Sequence, residues 1–176
     1  PPITGQNGSG NIFFAGCTGD CIFCQNYQIS QPADIFQFQS ITSTRLASIM
    51  IELQEKGAHN INLVSATPYI PQILMALSQA ITQGLSIPLV YNSSGWESSL
   101  TIQMLNEIVD IYLPDYKYAD EELAMRLSGM HQYQKTTLMA ISQMIKQTGE
   151  VGLDEQGIMH RGTVMRHLVL PNNLEN

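Results

Sequence analysis

Ile12-Phe13-Phe14-Ala15-Gly16-Cys17-Thr18-Gly19-Asp20-Cys21-Ile22-Phe23-Cys24-Gln25-Asn26 sets the frame for the rest of the chain. Its first four residues are apolar and read as a buried strand. That strand, over about Asn11 to Gly16, delivers a loop carrying all 3 cysteines of the sequence, spaced C-x3-C-x2-C. Three thiolates leaving one strand end on a short loop can converge on a single soft metal centre. A tetrahedral zinc site takes a fourth protein ligand at set spacing, and the nearest histidine, His59, is far down the chain. Ordinary cubane clusters also take four Cys. Three and no more points to a [4Fe–4S] cluster with one iron left open for a small molecule. Two plainer readings stand beside it: cysteines as small buried hydrophobes, and a zinc-binding or redox-switch loop.

Working outward from the loop, strand and helix patterns alternate. A first helix is expected over Thr44 to Lys56, with Leu46, Ile49, Met50 and Leu53 on one stripe. Thr42 or Ser43 can cap its start and Gly57 can close its end. Asn60 to Val64 reads as a second strand. Ile70, Ile73, Leu74, Leu77 and Ile81 form a second helical stripe, with Pro71 harmless in the first turn and Gly84 as the stop. Ile87 to Asn92 is a third strand. A helix through Leu100, Met104, Leu105 and Ile108 follows, then a fourth strand at Val109 to Leu113. Polar helical text runs from Asp120 to Thr148, broken near Ser128-Gly129. A small hairpin is expected at Leu153 to Ile158, and a last strand at Thr163 to Leu170, closed by Pro171.

Strands alternating with helices of this length mean βαβ units on a parallel sheet. About five such units predict an α/β fold, a partial parallel barrel or an open curved sheet, over one domain spanning 1–176. In such folds sites gather at the carboxyl ends of the strands. Those ends here are the cysteine loop, Ser65-Ala66-Thr67, Asn92-Ser93-Ser94-Gly95 and Asp115-Tyr116-Lys117, scattered in sequence but expected on one rim. Asp115 and Lys117, two apart, point the same way.

Composition narrows the functional classes. Of 176 residues, 44% are hydrophobic and 13% charged, which suits a well-buried α/β domain. A net charge of −7 and no cluster of Lys and Arg argue against nonspecific nucleic-acid binding. No apolar run reaches membrane-spanning length and no signal peptide opens the chain, so no membrane association is expected. Cysteines kept as metal ligands need a reducing compartment, which makes the cytoplasm the expected location. The start at Pro1-Pro2 and the stop at Asn176 after an apolar run lead us to expect a chain truncated at one or both ends. His59, His131 and His160 carry no motif. His167 is expected on an outer face as a satisfied core histidine, and Met139 and Met144 as core filling.

The cysteine spacing, with Phe23 just before the last Cys, resembles the signature of the radical S-adenosylmethionine superfamily. The wider frame from Gly16-Cys17 to Cys24-Gln25-Asn26 is similar to the glycyl-radical-enzyme activases, the group of the pyruvate formate-lyase-activating enzymes, although Gln25 stands where they carry His. The resemblance implies a partial (β/α)6 barrel of the radical S-adenosylmethionine type. It also implies a [4Fe–4S] cluster on Cys17, Cys21 and Cys24, with S-adenosyl-L-methionine on its open iron. Phe23 would pack near the adenine, and Asn26 closes the motif. Leu113-Pro114-Asp115-Tyr116-Lys117 resembles the activases' D-x-K element, whose two charges contact S-adenosylmethionine. Ser65-Ala66-Thr67 occupies the place of their Gly-Gly-Glu turn, without the Glu. Asn92-Ser93-Ser94-Gly95 resembles their Asp-Thr-Asn-Gly, and the strand Val164 to Pro171 their strand with an inward Arg, here Arg166.

By this resemblance the chain is an oxidoreductase that cleaves S-adenosylmethionine to a 5′-deoxyadenosyl radical. That radical would abstract hydrogen from a glycine of a partner glycyl radical enzyme, with flavodoxin or a ferredoxin-type protein as reductant. The alternatives are a superfamily member acting on another small molecule or protein, and a non-catalytic metal-binding or redox-sensing module.

Overall fold

Short stretches of four to six residues become the main strands, most of them rich in apolar side chains, and the stripes between them become helices. The computed structural model describes residues 2–170, leaving aside the side chain of Phe36. In chain order the elements are β1 (Gly10–Phe13), α1 (Tyr27–Ser30), α2 (Ser43–Glu55), β2 (Ile61–Val64), α3 (Ile70–Thr82), β3 (Leu89–Ser93), α4 (Ser99–Met104), β4 (Ile111–Tyr116), α5 (Glu121–Ser128), α6 (Tyr133–Thr148), β5 (Gly152–Leu153), β6 (Met159–Thr163) and β7 (Arg166–His167).

The local signals explain the boundaries. The Thr42 side chain accepts from Arg45 N to start α2, and Gly57 takes the left-handed conformation just past its end. Asp120 caps α5 through Leu123 N, and Gly129 (φ 64°) stops it. Glu121 belongs to the start of α6: its carboxylate accepts from Tyr133 N (2.8 Å) and Gln134 N (2.7 Å), where an anion meets the positive end of the helix dipole.

β1 to β4 lie side by side in chain order, all parallel, and β6 extends the parallel sheet beyond β4. β5 adds antiparallel to β6, forming the expected hairpin. Asp154 shapes its turn by accepting from Gln156 N and Ile158 N. β7 pairs with the upper half of β4 in the same offset as β6: Ile111 faces Gly162, and Asp115 faces Arg166. The two are therefore one strand interrupted at Val164 and Met165, and it begins earlier than the sequence pattern suggested. Its expected close at Pro171 lies outside the described residues. The result is a mixed α/β fold on a mostly parallel sheet of 7 strands among the described residues, not closed on itself. No described helix is long and apolar enough to cross a membrane.

Strand alternation separates the two faces of this sheet. Leu89 and Tyr91 of β3, Tyr112 of β4, and Ile61 and Leu63 of β2 join the large core with α2, α3, α4 and α6. The intervening Val90, Ile111 and Leu113 join a smaller cluster with Met159, Ile3 and Val164 on the opposite, helix-free face. Continuing each strand toward its carboxyl end on that second face, in step with Val90, Leu113 and Val164, brings Asn92, Asp115 and Arg166 into the site described below.

Four sequence expectations need correction. β1 is an edge strand with one neighbour, so Phe13 is 50% exposed and the strand is not buried. The helix after β3 is only six residues long, so Leu100 and Met104 stay exposed while Ile102 and Leu105 are buried. Met144 fills the core but Met139, one helix face away, is exposed. His167 is exposed at the sheet edge, with Nδ1 on the Tyr116 carbonyl (2.7 Å), and is not a core histidine.

Candidate active site at the carboxyl ends of the strands

The cysteine loop is held by its backbone. Gly16 N donates to Ile29 O (2.8 Å), Cys24 N to Cys21 O (3.0 Å), and Gln31 Nε2 to Cys21 O (3.3 Å). The far side docks on the end of α5, where Asp20 N donates to Ser128 O and Ile22 N to Leu127 O, both 3.0 Å. Cys21 is buried, and Cys17 and Cys24 are half-buried. Ser128 Oγ donates to Cys21 Sγ (2.9 Å), which leaves the Tyr118 hydroxyl as donor to Ser128 (2.5 Å). Cys24 Sγ lies 3.1 Å from Ser30 Oγ.

Burial pushes the Cys21 thiol up, and the Ser128 hydroxyl and the Lys117 charge pull it back. Cys17 and Cys24 are close enough to act on it electrostatically as well. The three thiols therefore share one neighbourhood, although among the described residues no three His, Cys, Asp or Glu groups stand gathered as a preformed metal site. The loop offers three soft thiol donors, the donor type that iron–sulfur clusters take.

Across the rim, four of the sequence-predicted residues form one bonded network. The Asp115 carboxylate takes Lys117 Nζ on one oxygen and Arg166 Nη2 (2.7 Å) on the other. Arg166 Nη2 also donates to Asn92 Oδ1 (2.6 Å). The pairing of Asp115 with Arg166 follows from the β4–β7 register, which sets them opposite each other on one face. Tyr133 braces the network from α6, accepting from Lys117 N (2.7 Å). Gly95 lets the β3 loop approach: a Cβ there would stand 2.1 Å from the Asp115 carbonyl, at φ 77°.

The remaining predicted residues divide. Ser65 N donates to the Asn92 carbonyl (3.2 Å), so the turn after β2 is tied to the network, and Ser65 holds a left-handed φ of 57°. Such a conformation is uncommon for a non-glycine residue and gathers at functional turns. Phe23 packs edge-on to Tyr118 (6.4 Å between centroids), in a cluster with Cys21, Met130 and Tyr133 beneath the rim. Asn26 is exposed at the start of α1 with no side-chain cap, and the structure does not bring it to the network.

Sequence reasoning missed Glu97. It is 2% exposed, and its Oε1 accepts from Thr67 Oγ1 (2.7 Å) and Tyr91 OH (3.2 Å). Burial pushes its carboxyl up to about 7. The sequence signal was an acid two residues after the Gly95 turn. It also missed Ser128 and Tyr133, whose roles depend on contacts between distant parts of the chain. A cavity of about 640 Å3 lies at the opposite end of the sheet around Gly5, His59 and Ile158, away from the thiols and the charged network.

No family model matches the chain. It is similar to an uncharacterized protein of Methanocaldococcus jannaschii, with 30% identity over 174 residues that cover 95% of this chain and 46% of the relative. The chain thus spans about half the length of that curated relative.

Proposed function

We propose that the chain is the cluster-bearing core of a radical S-adenosylmethionine enzyme, a partial (β/α) barrel whose best-supported activity is that of a glycyl-radical-enzyme activase. The observation that carries this reading is the joining of Asn92, Asp115, Lys117 and Arg166 into one network on the helix-free face, with the Lys117 charge reaching Cys21. The parallel strands β1, β2, β3, β4 and β6 follow one another in chain order, without the reversal of a doubly wound sheet, which favours the barrel arc.

Cys17, Cys21 and Cys24 would hold three irons of a [4Fe–4S] cluster as thiolates. Such a cluster would supply the single electron for reductive cleavage of S-adenosylmethionine, the radical chemistry this reading calls for. The chain's own residues bind and orient. Arg166, half in solvent, can meet a carboxylate in two-point contact, and the Asp115 carboxylate can accept from an amino group or ribose hydroxyls. Asn92 offers an uncharged amide. Ser65 would present backbone carbonyls from its left-handed turn. The packing of Phe23 on Tyr118 shields the floor beneath the loop from water.

A glycine of a partner glycyl radical enzyme is the first candidate substrate, with a flavodoxin or ferredoxin-type protein as electron donor. A cytoplasmic location belongs to the same proposal, because cysteines kept as thiolate ligands need a reducing compartment. A metal-binding or redox-sensing module is the second reading, favoured by the separate engagement of Cys21 with Ser128 and of Cys24 with Ser30. Anaerobic reconstitution separates the two. The enzyme reading expects a brown protein with roughly four iron and four sulfide per chain, forming 5′-deoxyadenosine with dithionite. A colourless zinc protein, or a cluster that leaves S-adenosylmethionine intact, overturns it.

A further inference from the structure

A groove of about 360 Å3 opens beside the cysteine loop, lined among others by Thr18, Thr67, Trp96, Glu97, His131 and Gln132. Its volume is in the range of small-molecule sites. Thr18 lies inside the cysteine motif, so the groove and the thiols share a loop. Four features describe what the groove accepts. Glu97 contributes a buried carboxyl whose Oε1 is already engaged by Thr67 and Tyr91, while its Oε2 has no hydrogen-bond partner among the described residues. An acceptor left unmade in such a place costs free energy that an incoming donor would return.

Trp96 has committed its indole N–H to the His131 carbonyl (3.0 Å), so what it can offer a ligand is its ring face. The lining residues include no Lys or Arg, and His131 is the other titratable group among them. Finally, Gln132 at the rim holds a left-handed φ of 50°, a strained conformation of the kind that gathers at ligand clamps.

We infer that this groove binds a small organic cation, a primary amine or guanidinium, with Glu97 as counter-ion and the Trp96 ring as its wall. An anionic ligand would be repelled by the acid, and a neutral alcohol would gain neither the ion pair nor the cation–π contact. The net charge of −7 draws cations toward the surface in the same sense. That the bound amine is the substrate of the radical reaction, or part of it, rests on the function proposed above. The binding itself does not.

The test needs no cluster, because Trp96 is the only tryptophan in the chain and its fluorescence reports the groove alone. The full chain is titrated at pH 8, where the Glu97 carboxyl, raised to about 7, is mostly ionised, with n-butylammonium chloride and with n-butanol at matched ionic strength. Saturable change with the ammonium and not with the alcohol is expected. Glu97→Gln should weaken the ammonium affinity by about tenfold. Gln132→Lys, which leaves the buried acid in place and adds a like charge at the rim, should weaken it as well and guards against a folding defect in the first variant. No saturable response, an equal response to alcohol and ammonium, or unchanged affinity in both variants overturns the inference. None of these outcomes bears on whether the cysteines hold a cluster.

Discussion

The two faces of the sheet are made by alternate residues of the same strands, and they differ in kind. Toward the helices, Leu63, Tyr91 and Tyr112 are fully buried in a continuous core. On the other face the apolar cluster is small, around Val90, Ile111 and Leu113, and it gives way at the carboxyl ends to Asn92, Asp115 and Arg166. One face holds the fold together, and the other presents charge where the cysteine loop arrives. The difference teaches that apolar packing and grouped charge are separated here by a single residue step along each strand.

The strongest way to break this comparison is to truncate the helix-covered face. Leu63→Ala should lower unfolding stability by about 2–5 kcal/mol in urea titrations. A loss below about 1 kcal/mol would show that this face does not carry the fold as described.

Glu97 is the exception on the helix-covered side, a buried acid reached by Tyr91. Its carboxyl is raised from the ordinary 4.5 to about 7, so between those values the folded state keeps a proton that the unfolded state has lost. Stability should therefore fall as pH rises through that window, by about 3 kcal/mol from this group. In Glu97→Gln that part of the slope should vanish, which unfolding curves at pH 5 and pH 8 would reveal as a smaller difference than in the wild type. Parallel slopes in the two proteins would contradict the burial of the acid.

A smaller effect on folding, and a larger one on function, is expected on the helix-free face. Asp115→Asn removes the charge that joins Lys117 to Arg166, and should cost about 1–2 kcal/mol of stability, while S-adenosylmethionine binding to the reconstituted protein is lost. Isothermal titration beside a denaturation curve checks both halves. Intact binding would detach the network from the proposed site.

Much of this arrangement was legible in the sequence because it depends on periodicity. The stripes around Leu46 and Ile73 gave helices, and the two-residue spacing of Asp115 and Lys117 put both charges on one side. What periodicity lacks is register. It could not pair Asp115 with Arg166 or merge β6 with β7, since both follow from an alignment set by the whole sheet. The Ser128 hydroxyl on Cys21 was invisible for the same reason: the two residues are 107 apart in the chain. Phe13 and Met139 misled because an apolar residue on an edge strand or on the solvent side of a helix stays exposed when nothing packs over it. Glu97 was overlooked because an acid after a strand-end glycine ordinarily reads as solvated loop, and only the fold around it makes it buried.

The central claim is that the cysteine loop and the charged rim form a single site. Electron paramagnetic resonance of the anaerobically reconstituted, dithionite-reduced protein tests it most directly. The account predicts a [4Fe–4S] signal that changes on adding S-adenosylmethionine in the wild type and stays fixed in Asp115→Asn. A wild-type signal unmoved by S-adenosylmethionine, or the same change in both proteins, would contradict it.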